Sequence, residues 1–125
     1  MKQQLVTVAA VFAFAAPPAL ASQTSCTFEG GDAARYYELE FIGYSDGPPL
    51  IVFSSTAFRS GQRLTLPPAS YALRAFSPKS ATVALAFRNP GDASLPPSFA
   101  LNGRGGAARL TIGRDRISGA LRCGD

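Results

Sequence analysis

The chain has 125 residues, 46% of them apolar and 16% charged, with 12 Lys and Arg against 8 Asp and Glu. This length favours a single domain. Because the sequence contains no His, it offers no Ser-His or Cys-His nucleophile pair and lacks the commonest metal ligand.

Residues 1–21 have the three parts of a secretory signal peptide. Lys2 gives the positive start, residues 5–16 are uncharged and apolar, and Ala19-Leu20-Ala21 supplies the small–x–small cleavage pattern. As a helix the apolar run is about 18 Å long, too short for the roughly 30 Å core of a bilayer. We therefore predict cleavage after Ala21, export to the periplasm or the extracellular space, and a mature domain of residues 22–125 without a transmembrane segment.

The two cysteines lie near the two ends of that mature domain. Lipid attachment at Cys26 is one alternative, but Gln23 stands where lipoproteins carry a Leu. An even pair in an oxidising compartment instead favours one structural disulfide between Cys26 and Cys123. In the chain-entropy model, a bridge that closes nearly the whole domain stabilises it by about 4.5 kcal/mol.

Short runs with strand character follow the first cysteine. Tyr37, Leu39 and Phe41 share one face of a predicted strand, and Glu38 and Glu40 share the other. The continuous apolar run of residues 50–53 then predicts a central strand covered on both sides. Three further runs have strand character, at residues 63–66, 71–76 and 82–87.

Turn-forming residues separate the runs at short intervals. The pair Gly30-Gly31 is interpreted as a loop between the first two strands, and Gly, Pro, Asn, Asp and Ser cluster at the later breaks. The spacing leaves no room for ordinary helices or for parallel crossovers. It predicts an all-β fold: a single antiparallel β-sandwich or flattened small barrel of about seven to nine short strands with one disulfide.

The C-terminal hairpin has the clearest pattern. If residues 113–116 form the turn, Ile112 faces Ile117 and the apolar residues of both strands share one side. Arg109 and Arg122 then lie together on the opposite, outward side.

Arginine is concentrated around this hairpin. Loss of Lys2 with the signal peptide leaves a net charge of +3, and ten of the remaining cations are Arg. Guanidinium groups pair bidentately with carboxylates and phosphates, so five residues form a candidate face for an envelope protein or an anionic envelope component. The alternative is a high-GC genome that uses Arg on a solvated surface. The five residues are Arg104, Arg109, Arg114, Arg116 and Arg122.

No pattern in the sequence predicts a catalytic residue, a metal site or a cofactor. Glu38 and Glu40 are loosely compatible with two-carboxylate glycoside hydrolysis, but a strand face alternates in this way by default. Nucleic acid is not an expected partner, because the predicted export and the modest charge both argue against it.

The signal peptide, the early Cys26 and the closing strand of residues 117–123 resemble the layout of many small exported bacterial β-domains. Some of those domains inhibit lysozymes or proteases in the periplasm, although the Ser-Gly-x-x-Tyr signature of the lysozyme inhibitors is absent here. The lack of catalytic patterns, together with the clustered arginines, predicts an exported, non-catalytic domain that binds another macromolecule. The alternative is a periplasmic inhibitor of a lysozyme or protease that acts through exposed loops, at residues 89–97 or 102–106.

Overall fold

A computed structural model describes residues 23–43 and 48–124 of the chain. The predicted signal peptide, residues 1–21, lies outside the described residues. Nine strands occupy most of the described part, and two short 3₁₀ turns, Arg59–Gly61 and Pro68–Ser70, are its helical segments. The strands are β1 (Gln23–Gly31), β2 (Tyr36–Gly43), β3 (Leu50–Ser55), β4 (Leu64–Thr65), β5 (Tyr71–Ser77), β6 (Thr82–Phe87), β7 (Phe99–Arg104), β8 (Ala107–Ile112) and β9 (Asp115–Cys123).

All nine strands belong to one antiparallel sheet with the order β4-β3-β2-β1-β9-β8-β7-β6-β5. The two edge strands, β4 and β5, follow one another in the chain but are not paired with each other. The sheet is therefore a curled half-barrel. The all-β antiparallel prediction is confirmed with nine strands, and of the two predicted arrangements the fold adopts the barrel-like one. Within the described residues, no helix has the length and apolar character needed to cross a bilayer.

The inner face of the curled sheet carries the core. Tyr37, Leu39 and Phe41 are buried on this face, as their alternation predicts, and Glu38 lies on the outer face. Rings from opposite walls meet inside: Phe41 of β2 stacks on Phe76 of β5 with 5.2 Å between ring centroids. Because β2 and β5 are far apart in the strand order, this contact requires the curl of the sheet.

The apolar run of residues 50–53 forms β3, but not at the centre of the sheet as predicted. This strand is second from the edge and is flanked on one side by the two-residue β4. Ile51 and Phe53 are buried on the inner face, whereas Leu50 is 40% exposed. Val52 lies on the outer face and is only 8% exposed, so the run is covered on both faces as predicted, although its strand is not central.

The disulfide prediction is confirmed. Cys26 and Cys123 are directly opposite one another in the β1–β9 pair, with 4.0 Å between their Cα atoms, and their sulfurs are bonded. The bridge therefore joins the first strand to the last across a single ladder.

Two glycines on the same pair of strands make room for an aromatic ring. Gly30 is directly opposite Gly119, and it lies in β1 and not in the loop that the sequence predicts. A Cβ atom at Gly30 would lie 2.9 Å from Cζ of Phe28, and one at Gly119 would lie 2.8 Å from Cε1 of the same ring. The buried Phe28 therefore packs over a glycine pair at the β1–β9 junction.

The C-terminal hairpin has a tighter turn than predicted. Ile112 pairs with Asp115 and Leu110 pairs with Ile117, so the turn contains only Gly113 and Arg114. Gly113 has a φ of 57°, and a glycine with positive φ at the first position is the pattern of a two-residue type II′ turn. The predicted register is wrong by two residues, a shift that leaves every side chain on its predicted face.

Candidate functional site

Three of the five candidate arginines lie in one row on the outer face of the sheet. Arg104 is on β7, Arg109 on β8 and Arg116 on β9. Arg104 is opposite Ala107 and Arg109 is opposite Ser118, which makes each arginine the diagonal neighbour of the next. Diagonal neighbours are about 7–8 Å apart, so the row spans about 15 Å. We call these three residues the arginine diagonal.

Short side chains surround the arginine diagonal. Asn102, Ala107 and Ser118 border Arg109 in a shallow depression of about 440 Å³. Since no long neighbour covers the guanidinium groups, all three of them are exposed to solvent. The groups are thus accessible to a partner that lies across the strands.

No acidic residue shares the outer face of β7, β8 and β9 with the arginine diagonal. Arg104, Arg109 and Arg116 make no ion pair within the described part of the chain. The row therefore carries three positive charges that no described carboxylate neutralises.

The other two candidate arginines are not part of this row. Arg122 lies on the same outer face, but its Nη1 donates a hydrogen bond to Oε1 of Glu29 over 3.1 Å in an ion pair. The shifted register also places Arg122 opposite Thr27 and separates it from Arg109. Arg114 lies in the β8–β9 turn, at one end of the half-barrel. The sequence thus placed Arg109 and Arg122 on one side of the hairpin, but it did not show which arginines are neighbours.

The outer face of β1 and β2 carries the opposite charge. Glu29 is directly opposite Glu38, and Glu40 follows two residues along β2 and is ion-paired with Arg63. Burial, followed by the negative charges of Glu29 and Glu40, raises the pKa of Glu38 above its ordinary value. These carboxylates do not line the depression beside Arg109.

The described residues contain no group of three or more His, Cys, Asp or Glu side chains that could hold a metal ion. The two cysteines of the chain are joined to each other.

A cavity of about 380 Å³ opens at the end of the half-barrel that includes the β8–β9 turn. We call this cavity the mouth. The apolar part of its wall is formed by Tyr37, Phe53, Phe58 and Ile112. The other residues that line it are Arg35, Ala57, Pro97, Gly113, Arg114 and Asp115. The mouth was not predicted from the sequence, because its walls come from strands that only the curl of the sheet brings together.

The loop between β6 and β7 contributes Pro97 to the mouth, and the side chain of Asn89 makes most of the hydrogen bonds that hold it. Nδ2 of Asn89 donates hydrogen bonds to the carbonyl oxygens of Asp92, Leu95 and Pro96, over 2.8–3.2 Å. Oδ1 of Asn89 accepts from the backbone N–H groups of Gly91 and Asp92, both at 2.7 Å. Residues 89–97 are therefore a fixed loop.

The second predicted inhibitor loop, residues 102–106, is mostly strand. Asn102 to Arg104 belong to β7, and only Gly105 and Gly106 form the turn, both with positive φ. Gly105 N–H donates to the carbonyl oxygen of Ser80 over 3.1 Å, which ties this turn to the neighbouring one. Of the two segments, only residues 89–97 form a loop.

Comparison with known proteins assigns no family to the chain, since no family model matches it and no curated protein or solved structure matches it at a significant level. The positions of the side chains are therefore the observations on which a function rests.

Proposed function

We propose that this protein is an exported, non-catalytic β-domain that binds an anionic macromolecule of the cell envelope through the outer face of β7, β8 and β9. The observation that carries the proposal is the arginine diagonal, with three exposed guanidinium groups and no carboxylate on the same face. The partner lies across three strands and pairs its carboxylate or phosphate groups with Arg104, Arg109 and Arg116.

Export is supported by two independent features. The fold contains a disulfide, and disulfides persist mainly in oxidising compartments such as the periplasm or the extracellular space. Residues 1–21 have the sequence pattern of a cleavable signal peptide. Together they favour a mature domain that works outside the cytosol.

The chemistry of the guanidinium group supports an anionic partner over an apolar one. Each group presents a planar set of donors that matches a carboxylate or a phosphate in two parallel hydrogen bonds. A single exposed ion pair contributes only about 0.2–1 kcal/mol, so one arginine would bind weakly. Three pairs on one partner contribute roughly 0.6–3 kcal/mol, which is about a threefold to 150-fold change in affinity.

Charge reversal of the arginine diagonal tests the proposal. The triple variant Arg104→Glu, Arg109→Glu, Arg116→Glu is compared with the wild type for binding to immobilised poly-L-glutamate and polyphosphate. We expect about tenfold weaker binding or more, and a wild-type affinity that falls as salt is added. The melting temperature should change little, because all three side chains are exposed.

A second triple variant with the same change in net charge is the control. Arg59→Glu, Arg63→Glu and Lys79→Glu also replace exposed cations, and none of the three lies on β7, β8 or β9. We expect this variant to bind nearly as well as the wild type. Equal losses in both triples would mean that net charge alone drives binding, and the assignment to this face would be withdrawn.

Inhibition of a lysozyme or protease remains the alternative function. The observation in its favour is the loop of residues 89–97, which the amide of Asn89 holds in one conformation. A fixed loop loses little conformational entropy when it enters a cleft. That function would depend on the loop and not on the arginine diagonal.

A further inference from the structure

The mouth has the size and shape of a site for a small organic ligand. Its volume is about 380 Å³, while an apolar cavity of about 150 Å³ is already large enough to bind benzene. The mouth therefore has room for two fused rings, or for one ring with a short chain. Binding pockets of this size often lie at the ends of β-barrels.

Aromatic side chains line the mouth and hold one another in place. Phe53 makes edge contacts with Tyr37 and Phe58, with ring centroids 6.4 and 6.3 Å apart, and stacks on Phe99 at 5.5 Å. Phe58 remains partly exposed. Phe53 and Tyr37 are 0% and 4% exposed, so Phe58 is the lining ring that a ligand can reach. A flat aromatic ligand that packs on Phe58 gains energy beyond the area that it buries.

One buried polar group in the mouth lacks a partner. Tyr37 lines the cavity and is only 4% exposed, yet its hydroxyl has no hydrogen-bond partner among the described residues. No hydrogen bond joins it to its cross-strand neighbour Ser55, whose Oγ accepts from the N–H of Ala57 over 2.9 Å. Buried hydroxyl groups almost always have a partner. A polar group of a ligand in the mouth supplies one.

Charged groups at the mouth favour an anion. Arg35 and Asp115 line the opening and form an ion pair with each other. Arg114 also lines it and makes no ion pair within the described residues, so the opening has a net charge of +1. A carboxylate fits these two groups, because the guanidinium of Arg114 donates charge-assisted hydrogen bonds and the hydroxyl of Tyr37 donates its O–H.

We propose that the mouth binds a small aromatic carboxylate, with its ring against Phe58 and its carboxylate toward Tyr37 and Arg114. This site is separate from the arginine diagonal and does not depend on it.

Titration with 2-naphthoate, followed by calorimetry and by amide chemical shifts in NMR spectra, tests the proposal. We expect saturable binding and shifts concentrated at the mouth, including residues 57–58 and 112–115. Acetate, which lacks the rings, and the 2-naphthylmethylammonium cation, which reverses the charge, should each bind at least tenfold more weakly. Failure of 2-naphthoate to bind in the millimolar range, or equal binding of the cation, overturns the proposal.

Two neighbouring tyrosines provide a matched pair of variants. Tyr37→Phe removes the buried hydroxyl and keeps the ring, so binding of 2-naphthoate should weaken about tenfold, the effect of one hydrogen bond to a charged group. Tyr36→Phe removes a hydroxyl from the outer face and should leave binding unchanged. Arg114→Gln should weaken binding severalfold. Equal affinity of Tyr37→Phe and the wild type would overturn the assignment.

Stability of the ligand-free protein gives an independent check. Because the hydroxyl of Tyr37 lacks a described partner, Tyr37→Phe should leave the melting temperature unchanged or raise it. A clear decrease would mean that the hydroxyl has a structural partner, and this would contradict the proposal. The triple charge reversal of the arginine diagonal should still bind 2-naphthoate, so failure of the macromolecular proposal and failure of this one are distinguishable.

Discussion

The glycine pair at the β1–β9 junction leads to a specific prediction about stability. In Gly119→Ala, the new Cβ would lie 2.2 Å from the carbonyl oxygen of Glu29 and 2.8 Å from Cε1 of Phe28. The first of these contacts is with backbone, which a side-chain rotation cannot relieve. The two strands that the disulfide joins must therefore move apart to accept one methyl group.

The expected loss of stability in Gly119→Ala is the balance of two opposing effects. Overpacking a filled core costs about 1–3 kcal/mol or more, and replacing Gly by Ala recovers about 0.4–1 kcal/mol by restricting the unfolded chain. We expect Gly119→Ala to lower the free energy of unfolding by about 2 kcal/mol and the melting temperature by about 10 °C. Gly30→Ala should cost less, about 1 kcal/mol, because its nearest contacts are 2.9–3.0 Å long and two of the three are with side chains.

Urea denaturation with the disulfide intact measures these differences, and Gly124→Ala is the control. A Cβ at Gly124 would have no atom within 4 Å, so this variant should unfold like the wild type. If Gly119→Ala unfolds at the same urea concentration as Gly124→Ala, the close β1–β9 approach described here is refuted.

Two further predictions concern the bridge and the acidic face. Reducing the Cys26–Cys123 disulfide should lower the free energy of unfolding by about 4.5 kcal/mol, measured as the urea midpoint with and without reductant; an unchanged midpoint would contradict a stabilising bridge. Burial and the charge of Glu29 raise the pKa of Glu38, so the folded state binds this proton more tightly than the unfolded chain, and the contribution of Glu38 to stability falls as pH rises above its ordinary pKa. Glu38→Gln should therefore stabilise the protein by roughly 0.2–1 kcal/mol at neutral pH and have no such effect below about pH 4. Equal melting curves for the variant and the wild type at neutral pH would count against repulsion between Glu38 and Glu29.

Alternation along single strands was sufficient to predict the fold class and the inward residues. Leu39 and Phe41 are buried and Glu38 lies outside because neighbouring side chains of any strand project to opposite faces. The pairing of the two cysteines followed from their number and the predicted compartment. These inferences use local pattern or simple counting, and neither depends on how the sheet curls.

The register of the last hairpin was predicted wrongly because it, too, was inferred from alternation alone. A shift of two residues preserves both faces, so the apolar pattern could not distinguish a four-residue turn from a two-residue one. Gly113 was the missed signal, since a glycine opening a two-residue turn is typical of type II′. With that turn, Arg109 is a neighbour of Arg104 and Arg116 and not of Arg122.

The mouth could not be predicted from pattern at all. Tyr37 lies on β2 and Ile112 on β8, and two other strands separate these in the sheet. Only the curvature of the whole sheet brings such residues around one cavity. The unpartnered hydroxyl of Tyr37 is likewise a property of its surroundings, which a single sequence does not reveal.

The strand order has a consequence for how the chain reaches this structure. Among the described strands, every ladder except β1–β9 joins elements that are consecutive in the chain, so the protein consists of two local meanders, β1–β4 and β5–β9. Joining these meanders closes a very long loop, which is the step that entropy makes slowest. The Cys26–Cys123 disulfide lies in the β1–β9 pair, which is the one ladder between distant parts of the chain. Once the two cysteines are oxidised, the bond holds β1 beside β9 covalently, and every other strand pair is a local hairpin.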